Sequence, residues 1–197
     1  MRKLAIFVPI LAFLFLVQFA AAQQGDAMFG GGTLLSSSAS NNTSFLPSEK
    51  GGAYLNVSAD VVFKKRIGFN WETAWRASQG AYAEGENFRP ILTDFNALYQ
   101  PRLGKKIGLD VMGGIGISAT RFYLPEITSC NFTGCINYDS SHHFMEHLGG
   151  GIRYYVWHHV FVRPEIHYYH VQNNTNEFNT ENLFRVGASI GYTIGPE

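Results

Sequence analysis

Charge is scarce in this 197-residue chain: charged side chains make up 15% of it, against about 25% in an ordinary soluble domain. Lys and Arg together number 15, and so do Asp and Glu. The basic residues form no extended patch, which argues against a nucleic-acid partner. So little charge favours a surface that contacts lipid instead of water.

Long apolar runs are also scarce, because the sequence has only one, near its start. Residues 4–19 are almost wholly apolar, follow Arg2 and Lys3, and precede three alanines that end at Ala22. This order is typical of a signal peptide with a small-residue cleavage site. We expect residues 1–22 to be removed and residues 23–197 to form one domain. Since no second run is long enough for a membrane-spanning helix, the mature chain is not expected to be a helical membrane protein.

The chain has only two cysteines, Cys130 and Cys135, with four residues between them. In an exported chain a disulfide is the default for such a pair. A metal site would require more ligands nearby. The sequence therefore predicts a Cys130–Cys135 disulfide.

Alternation of apolar and polar residues is abundant. From Ala53 to Phe63 every second residue is apolar, with Asn56, Ser58 and Asp60 between them. A period of two predicts β-strands with one apolar and one polar face. Eight such runs are found, and no window is typical of an amphipathic helix; the predicted strands are 26–35, 53–63, 67–78, 89–103, 107–122, 143–157, 160–172 and 183–195.

The linkers between these runs differ in length in a regular way. Tight turns at 64–66, 104–106 and 158–159 alternate with long polar segments at 36–52, 79–88, 123–142 and 173–182. This rhythm predicts an up-and-down barrel with one trimmed end and one elaborated end. In membrane barrels the short turns face the periplasm and the long loops face outside.

The apolar face carries aromatic residues near both strand ends, as in the aromatic girdles of membrane barrels. Phe69 and Tyr99 stand toward the short turns, and Trp75 and Phe184 toward the long loops. The polar face carries balanced charges, which a lumen requires because a buried charge is costly unless it is matched. We therefore predict a lumen charge network of Asp60, Glu72, Arg76, Asp94, Asp110, Arg153, Arg163, Glu165 and Arg185. The alternative is a soluble ligand-carrying barrel with the apolar face inside.

The signal peptide, this strand rhythm and the segment 163–168 (Arg-Pro-Glu-Ile-His-Tyr) together carry a family resemblance. The chain resembles eight-stranded outer-membrane β-barrels: the OmpA-type transmembrane domain, the OmpX-like group and the porin-family outer-membrane β-barrel proteins. The resemblance implies an all-β, eight-stranded antiparallel up-and-down transmembrane barrel, integral to the bacterial outer membrane. It also implies contact with outer-membrane lipid and lipopolysaccharide, a monomer, and a host or surface ligand at the long loops. One departure is the end of the chain, where such proteins usually finish on an aromatic residue; here Tyr192 is the nearest equivalent.

Five histidines are candidates for chemistry: His142, His143, His147, His167 and His170. If the turn at 158–159 places residue 157 opposite 161, then His147, His167 and His170 approach one another near the outer rim. A metal site or an acid–base pair is one interpretation. We favour ordinary hydrogen-bonded rim and lumen histidines, and so predict no catalytic, metal or cofactor site.

An enzyme hypothesis rests on the segment 170–173. Lipid A deacylases, which are also eight-stranded barrels, carry a His-x-Ser-Asn motif on a late strand. Here Gln172 stands where the nucleophilic serine would be, and an amide cannot attack an ester. The chain is therefore not expected to be an enzyme.

The same register places Arg153 opposite Glu165, with a bulge expected at Pro164, which cannot donate a ladder hydrogen bond. The predicted function is a structural or surface-interaction role, with a lumen plugged by paired charges. The alternatives are a narrow pore and a lipid A-modifying envelope enzyme.

Overall fold

The computed structural model describes residues 24–36, 46–63, 66–82, 85–124, 129–131 and 134–195. The predicted signal peptide, residues 1–22, lies outside them. A short 3-10 turn is formed by Asn174–Asn176. None of the described residues belongs to a helix long and apolar enough to cross a bilayer. The strands are β1 Gln24–Ser36, β2 Ala53–Val62, β3 Ile67–Arg76, β4 Gly80–Ala81, β5 Asn87–Tyr99, β6 Ile107–Tyr123, β7 Ser129–Asn131, β8 Gly134–Ile136, β9 Tyr138–Trp157, β10 Val160–Val171 and β11 Asn182–Ile194.

Eight of these strands close into an antiparallel barrel in the order β1, β2, β3, β5, β6, β9, β10, β11. β11 returns to pair with β1, from Gly25–Ile194 to Ser36–Leu183. The other three strands are short: β4 pairs with β5, and β7 with β8. The predicted all-β, eight-stranded up-and-down barrel is therefore confirmed.

The barrel has its polar face inside and its apolar face outside. On β2, for example, Asn56, Ser58 and Asp60 are buried. On the outer face Phe69 and Phe95 are 64% and 65% exposed. This arrangement is the reverse of a soluble carrier barrel and matches a wall that faces hydrocarbon.

Aromatic side chains lie at both ends of the outer face. Tyr99, Tyr154 and Tyr192 are exposed toward the short turns, and Phe144 and Phe184 toward the long loops. Two aromatic girdles of this kind are a feature of membrane barrels.

The pairing of β9 with β10 differs from the predicted register. Tyr155, not residue 157, lies opposite Phe161, and the irregularity falls between Val160 and Phe161. The expected bulge at Pro164 was wrong, because pairs on either side of it, including Glu165 with Gly151, keep one register. The shift of two residues leaves every side chain on its predicted face, since side chains alternate with a period of two.

At the loop end β9 extends beyond its neighbour β10, while β6 stays paired with both β5 and β9 up to Tyr123. β9 leaves β10 after the pair Met145–Val171, but continues along β6 up to the pair Tyr123–Tyr138. Residues 138–144 therefore form an extension of up to about 24 Å at the usual rise per residue. Its first residues are polar, which explains why the sequence pattern placed the start of this strand at residue 143.

Candidate functional site in the barrel interior

Three arginines fill the centre of the barrel. Arg153 on β9, Arg163 on β10 and Arg185 on β11 are at most 1% exposed and are among the largest fully buried side chains. Each occupies an inward position of its strand, so the alternating pattern alone directs it to the lumen.

Arg153 organises a cluster toward the short-turn end. Its Nε donates to both oxygens of Asp110, at 2.8 and 2.7 Å, and its Nη1 donates to Asp26 at 2.5 Å. Its Nη2 donates to Asp60. The guanidinium also lies 4.4 Å from the ring centroid of Phe161. Three carboxylates from three strands therefore share one cation.

Arg163 and Arg185 organise a second cluster toward the loops. Arg163 contacts Glu165 through Nη2 at 2.8 Å, and its Nη1 reaches Asp110 at 3.1 Å. Arg185 donates through Nη2 to Glu72, and the same nitrogen lies 3.4 Å from Glu165. Because Arg163 touches both clusters, the ion pairs form one connected network.

The structure brings together seven residues of the predicted lumen set: Asp60, Glu72, Asp110, Arg153, Arg163, Glu165 and Arg185. The eighth, Asp94, is buried beside them, and one of its oxygens lies 3.3 Å from His147 Nδ1. The ninth, Arg76, lies apart near the loop end, with its guanidinium carbon 5.0 Å from the ring centroid of Phe88.

The expected pairing of Arg153 with Glu165 was wrong. Arg153 bonds to Asp26, Asp60 and Asp110, whereas Glu165 bonds to arginines of β10 and β11. The prediction pairs opposite charges on neighbouring strands, whereas a long guanidinium reaches across the lumen. Asp26 was not singled out from the sequence, although it begins the first predicted strand on the polar face.

The five candidate histidines do not gather at the rim. His147 and His167 are buried in the lumen, with His147 Nε2 2.9 Å from His167 Nδ1. His143 and His170 lie nearer the loops, 3.4 and 4.0 Å from carboxylate oxygens of Glu177 and Glu181. His142 is exposed.

Glycines make room for these large groups. A Cβ on Gly149 would come within 2.9 Å of both lumen imidazoles, and one on Gly151 within 2.8 Å of Arg163 Cγ. Glycine in a strand interior costs stability. Here it leaves the space that the inward side chains occupy.

Gln172, the residue in place of a nucleophilic serine, is exposed at the end of β10, and its amide nitrogen lies 3.4 Å from Glu146. Its neighbour His170 contacts Asn182 at 3.3 Å. In this segment the Gln172 amide and the His170 imidazole both contact other side chains.

Comparison with known proteins agrees with this architecture. The profile of the family described as "Outer membrane protein beta-barrel domain" matches residues 8–192. No curated protein sequence matches the chain.

Solved structures resemble the fold at low sequence identity. One is Ail, the attachment invasion locus protein of Yersinia pestis, in complex with the heparin analogue sucrose octasulfate (11% identity, 87% of this chain and 98% of that chain covered, TM-score 0.58). Another is Neisserial surface protein A (12% identity, 86% and 95% covered, TM-score 0.59). A third is the N-terminal β-barrel domain of Pseudomonas aeruginosa OprF (11% identity, 88% and 98% covered, TM-score 0.54). The chain therefore belongs to the outer membrane protein β-barrel domain family and is an integral protein of the bacterial outer membrane.

Proposed function

We propose that this protein is a closed barrel that conducts no ions and that interacts, through its long outer loops, with molecules outside the cell. The main support for a closed lumen is that buried charged side chains come from every strand of the barrel. Each of the eight barrel strands contributes at least one; they are Asp26, Asp60, Glu72, Asp94, Asp110, Arg153, Arg163, Glu165 and Arg185. An interior of about eight strands is just wide enough for side chains to fill it.

The loop end adds a second obstacle to ions. The rings of Tyr82, Phe88, Phe122 and Phe178 pack together, with centroids 4.7 Å apart for Tyr82–Phe122 and 5.1 Å for Phe88–Phe178. Phe178 is fully buried. An apolar cluster above a charged network supports a lumen that is closed to ions.

Planar-bilayer recording of the refolded protein tests the closed lumen. We expect no steady, reproducible single-channel conductance from the wild type. A porin refolded and inserted in the same way serves as the positive control. Stable conductance steps from this chain would refute the closed lumen and favour the narrow pore.

The extension of β9 beyond β10 supports a surface-interaction role, because with β6 it offers a strand-paired surface at the loop end. On the adjacent pair of strands, β5 and β6, Arg89 lies directly opposite Arg121, which in turn pairs with Ser140 of the extension. Each stacks on a tyrosine ring, with guanidinium-to-centroid distances of 5.9 Å to Tyr123 and 5.0 Å to Tyr138. Like charges directly opposite are destabilising, so an anionic ligand between these arginines would be favourable. Ail, a relative in fold, was crystallised with a sulfated sugar.

Immobilised heparin is a suitable polyanionic probe for this part of the proposal. Cells that display the wild type should bind it, and the double variant Arg89→Ala/Arg121→Ala should bind less. Lys105→Ala, on the short-turn side, is the matched control. Equal binding by all three proteins would contradict an anionic ligand at this surface.

We also propose that residues 1–22 are a cleaved signal peptide. The mass of the membrane-inserted protein should then correspond to a chain beginning at or near Gln23. A mass that includes Met1 would contradict this processing.

A further inference from the structure

Three side chains with metal-ligating atoms face one another in the part of the lumen nearer the loops. They are Glu72 on β3 and Glu165 and His167 on β10, and one ligand atom of each lies within 4.8 Å of the others. The two strands lie on different sides of the barrel. Glu72 and His167 are fully buried, and Glu165 is nearly so.

The hydrogen bonds around His147 determine which of its nitrogens carries a proton. The side-chain nitrogen of Asn96 donates to Asp94 and, at 2.8 Å, to Asn70, so the Asn96 oxygen is left as an acceptor. That oxygen lies 2.7 Å from His147 Nδ1, and an oxygen of Asp94 lies 3.3 Å from the same nitrogen. A ring nitrogen between two acceptors must be the protonated one.

The proton on His147 Nδ1 determines the state of the next ring. In neutral His147 the other nitrogen, Nε2, is an acceptor. His167 Nδ1 lies 2.9 Å from it and must therefore donate. The remaining nitrogen of neutral His167, Nε2, then carries a bare lone pair.

That lone pair has no hydrogen-bond partner and lies 3.7 Å from Glu165 Oε1. Two electron-rich atoms that face each other in a buried site repel unless a cation lies between them. Bonds of about 2.1 Å to a tetrahedral Zn²⁺ place two ligands about 3.4 Å apart. A metal-bound histidine also commonly donates its other ring N–H to an acceptor, as His167 does here.

The balance of buried charge in the lumen also favours a bound cation. Six buried carboxylates on the barrel strands stand against three buried guanidiniums; the carboxylates are Asp26, Asp60, Glu72, Asp94, Asp110 and Glu165. Unmatched buried charge is costly, and a divalent cation would remove most of the excess. Arg185 and Arg163 already contact both glutamates of the cluster. A carboxylate offers about four lone-pair sites, so each glutamate can bind the two arginines and a metal.

We propose that Glu72, Glu165 and His167 bind one Zn²⁺ ion, with His167 coordinating through Nε2. The ion joins β3 to β10 across the lumen and compensates the acidic excess. The site is structural and separate from any ligand of the loops.

Metal analysis of the refolded chain tests the proposal. The unfolded protein is stripped with a chelator, refolded into detergent with one equivalent of Zn²⁺, desalted and analysed for zinc. We expect one zinc per chain in the wild type and in the control His170→Ala, and background zinc in His167→Ala. Heat-modifiable gel migration shows which variants have folded.

X-ray absorption of the zinc-loaded wild type keeps the test decisive if His167→Ala fails to fold. The expected first shell has one imidazole nitrogen with oxygen neighbours. Background zinc in the wild type would overturn the proposal. So would zinc retained by His167→Ala, or a shell with sulfur or several imidazoles.

Discussion

Replacing Arg153 by Met is the most direct test of the lumen network. Methionine keeps most of the apolar stem but removes the charge that Asp26, Asp60 and Asp110 share. Arg163 would then be the nearest cation, with its Nη1 3.1 Å from Asp110 and 3.9 Å from Asp60. Asp26 and Asp60 would otherwise keep only neutral donors, the amides of Gln24 and Asn70. The substitution therefore leaves uncompensated negative charge at a site where Arg153 has no exposed surface.

The expected loss in the free energy of unfolding is about 3–5 kcal/mol, the range for removing one partner of a buried ion pair. The matched control is Ile152→Val, at the neighbouring position on the outer face. It removes one methylene group, whose burial contributes about 0.8 kcal/mol to the free energy of unfolding. The lumen substitution should thus cost several times as much as the outward one.

Neutralising an acid should recover part of this loss. In Arg153→Met/Asp60→Asn one of the stranded charges is absent, so the double variant should be more stable than Arg153→Met alone. Coupling energies of contacting residues are about 0.5–3 kcal/mol, and the recovery should fall in that range.

The assay is urea-dependent unfolding of the barrel in lipid vesicles, followed by tryptophan fluorescence and by heat-modifiable gel migration. If Arg153→Met shifts the urea midpoint no more than Ile152→Val does, the network is hydrated and contributes little. The argument for a lumen closed by desolvated ion pairs would then be refuted.

Three other predictions concern the loop end. Cys130 and Cys135 lie directly opposite each other in backbone register, and the Cα–Cα separation of such a pair suits a disulfide. The two cysteines in protein from the native envelope should therefore resist alkylation until they are reduced. Ready alkylation without a reductant would exclude the bond. Burial raises the pKa of Glu49 from its ordinary 4.5 to about 7, so the carboxyl ionises first in the unfolded chain and loop stability should fall as the pH rises from about 4.5 through 7. The protection factors of its loop amides, which correct for the intrinsic pH dependence of exchange, should therefore be lower at pH 8 than at pH 5, and Glu49→Gln should abolish the difference. Higher protection at pH 8 would contradict the prediction. An epitope at the exposed Thr175 should be reachable on intact cells and one at Gly104 should not, and the reverse pattern would invert the topology.

The strands and their two faces could be predicted from the sequence because both follow from a period of two. The alternation of Asn56, Ser58 and Asp60 with apolar neighbours is enough to place them on one face of β2. It does not say which face is inside; that followed from the aromatic ends and the balanced charges.

The partners within the lumen could not be predicted in the same way. The irregularity between Val160 and Phe161 follows a turn in which His158 has a φ of 34°, and nothing in the sequence pattern marks a two-residue shift. The choice of Asp26 by Arg153 depends on the stagger at which β1 meets β11. Stagger is a property of the closed ring, so no local pattern contains it.

The distribution of the lumen charges also has a consequence for how the barrel assembles. Asp26 lies on the first strand and Arg185 on the last. Arginines of β9, β10 and β11 contact five of the six buried carboxylates, namely Asp26, Asp60, Glu72, Asp110 and Glu165. A partly assembled sheet of the first five barrel strands would expose five carboxylates with none of these three cations. The unpaired carboxylates of such an intermediate would carry a large desolvation cost in hydrocarbon but would stay hydrated in water. The order of charge along the chain thus favours concerted insertion, in which ring closure and desolvation of the interior occur together and half-formed barrels stay out of the bilayer.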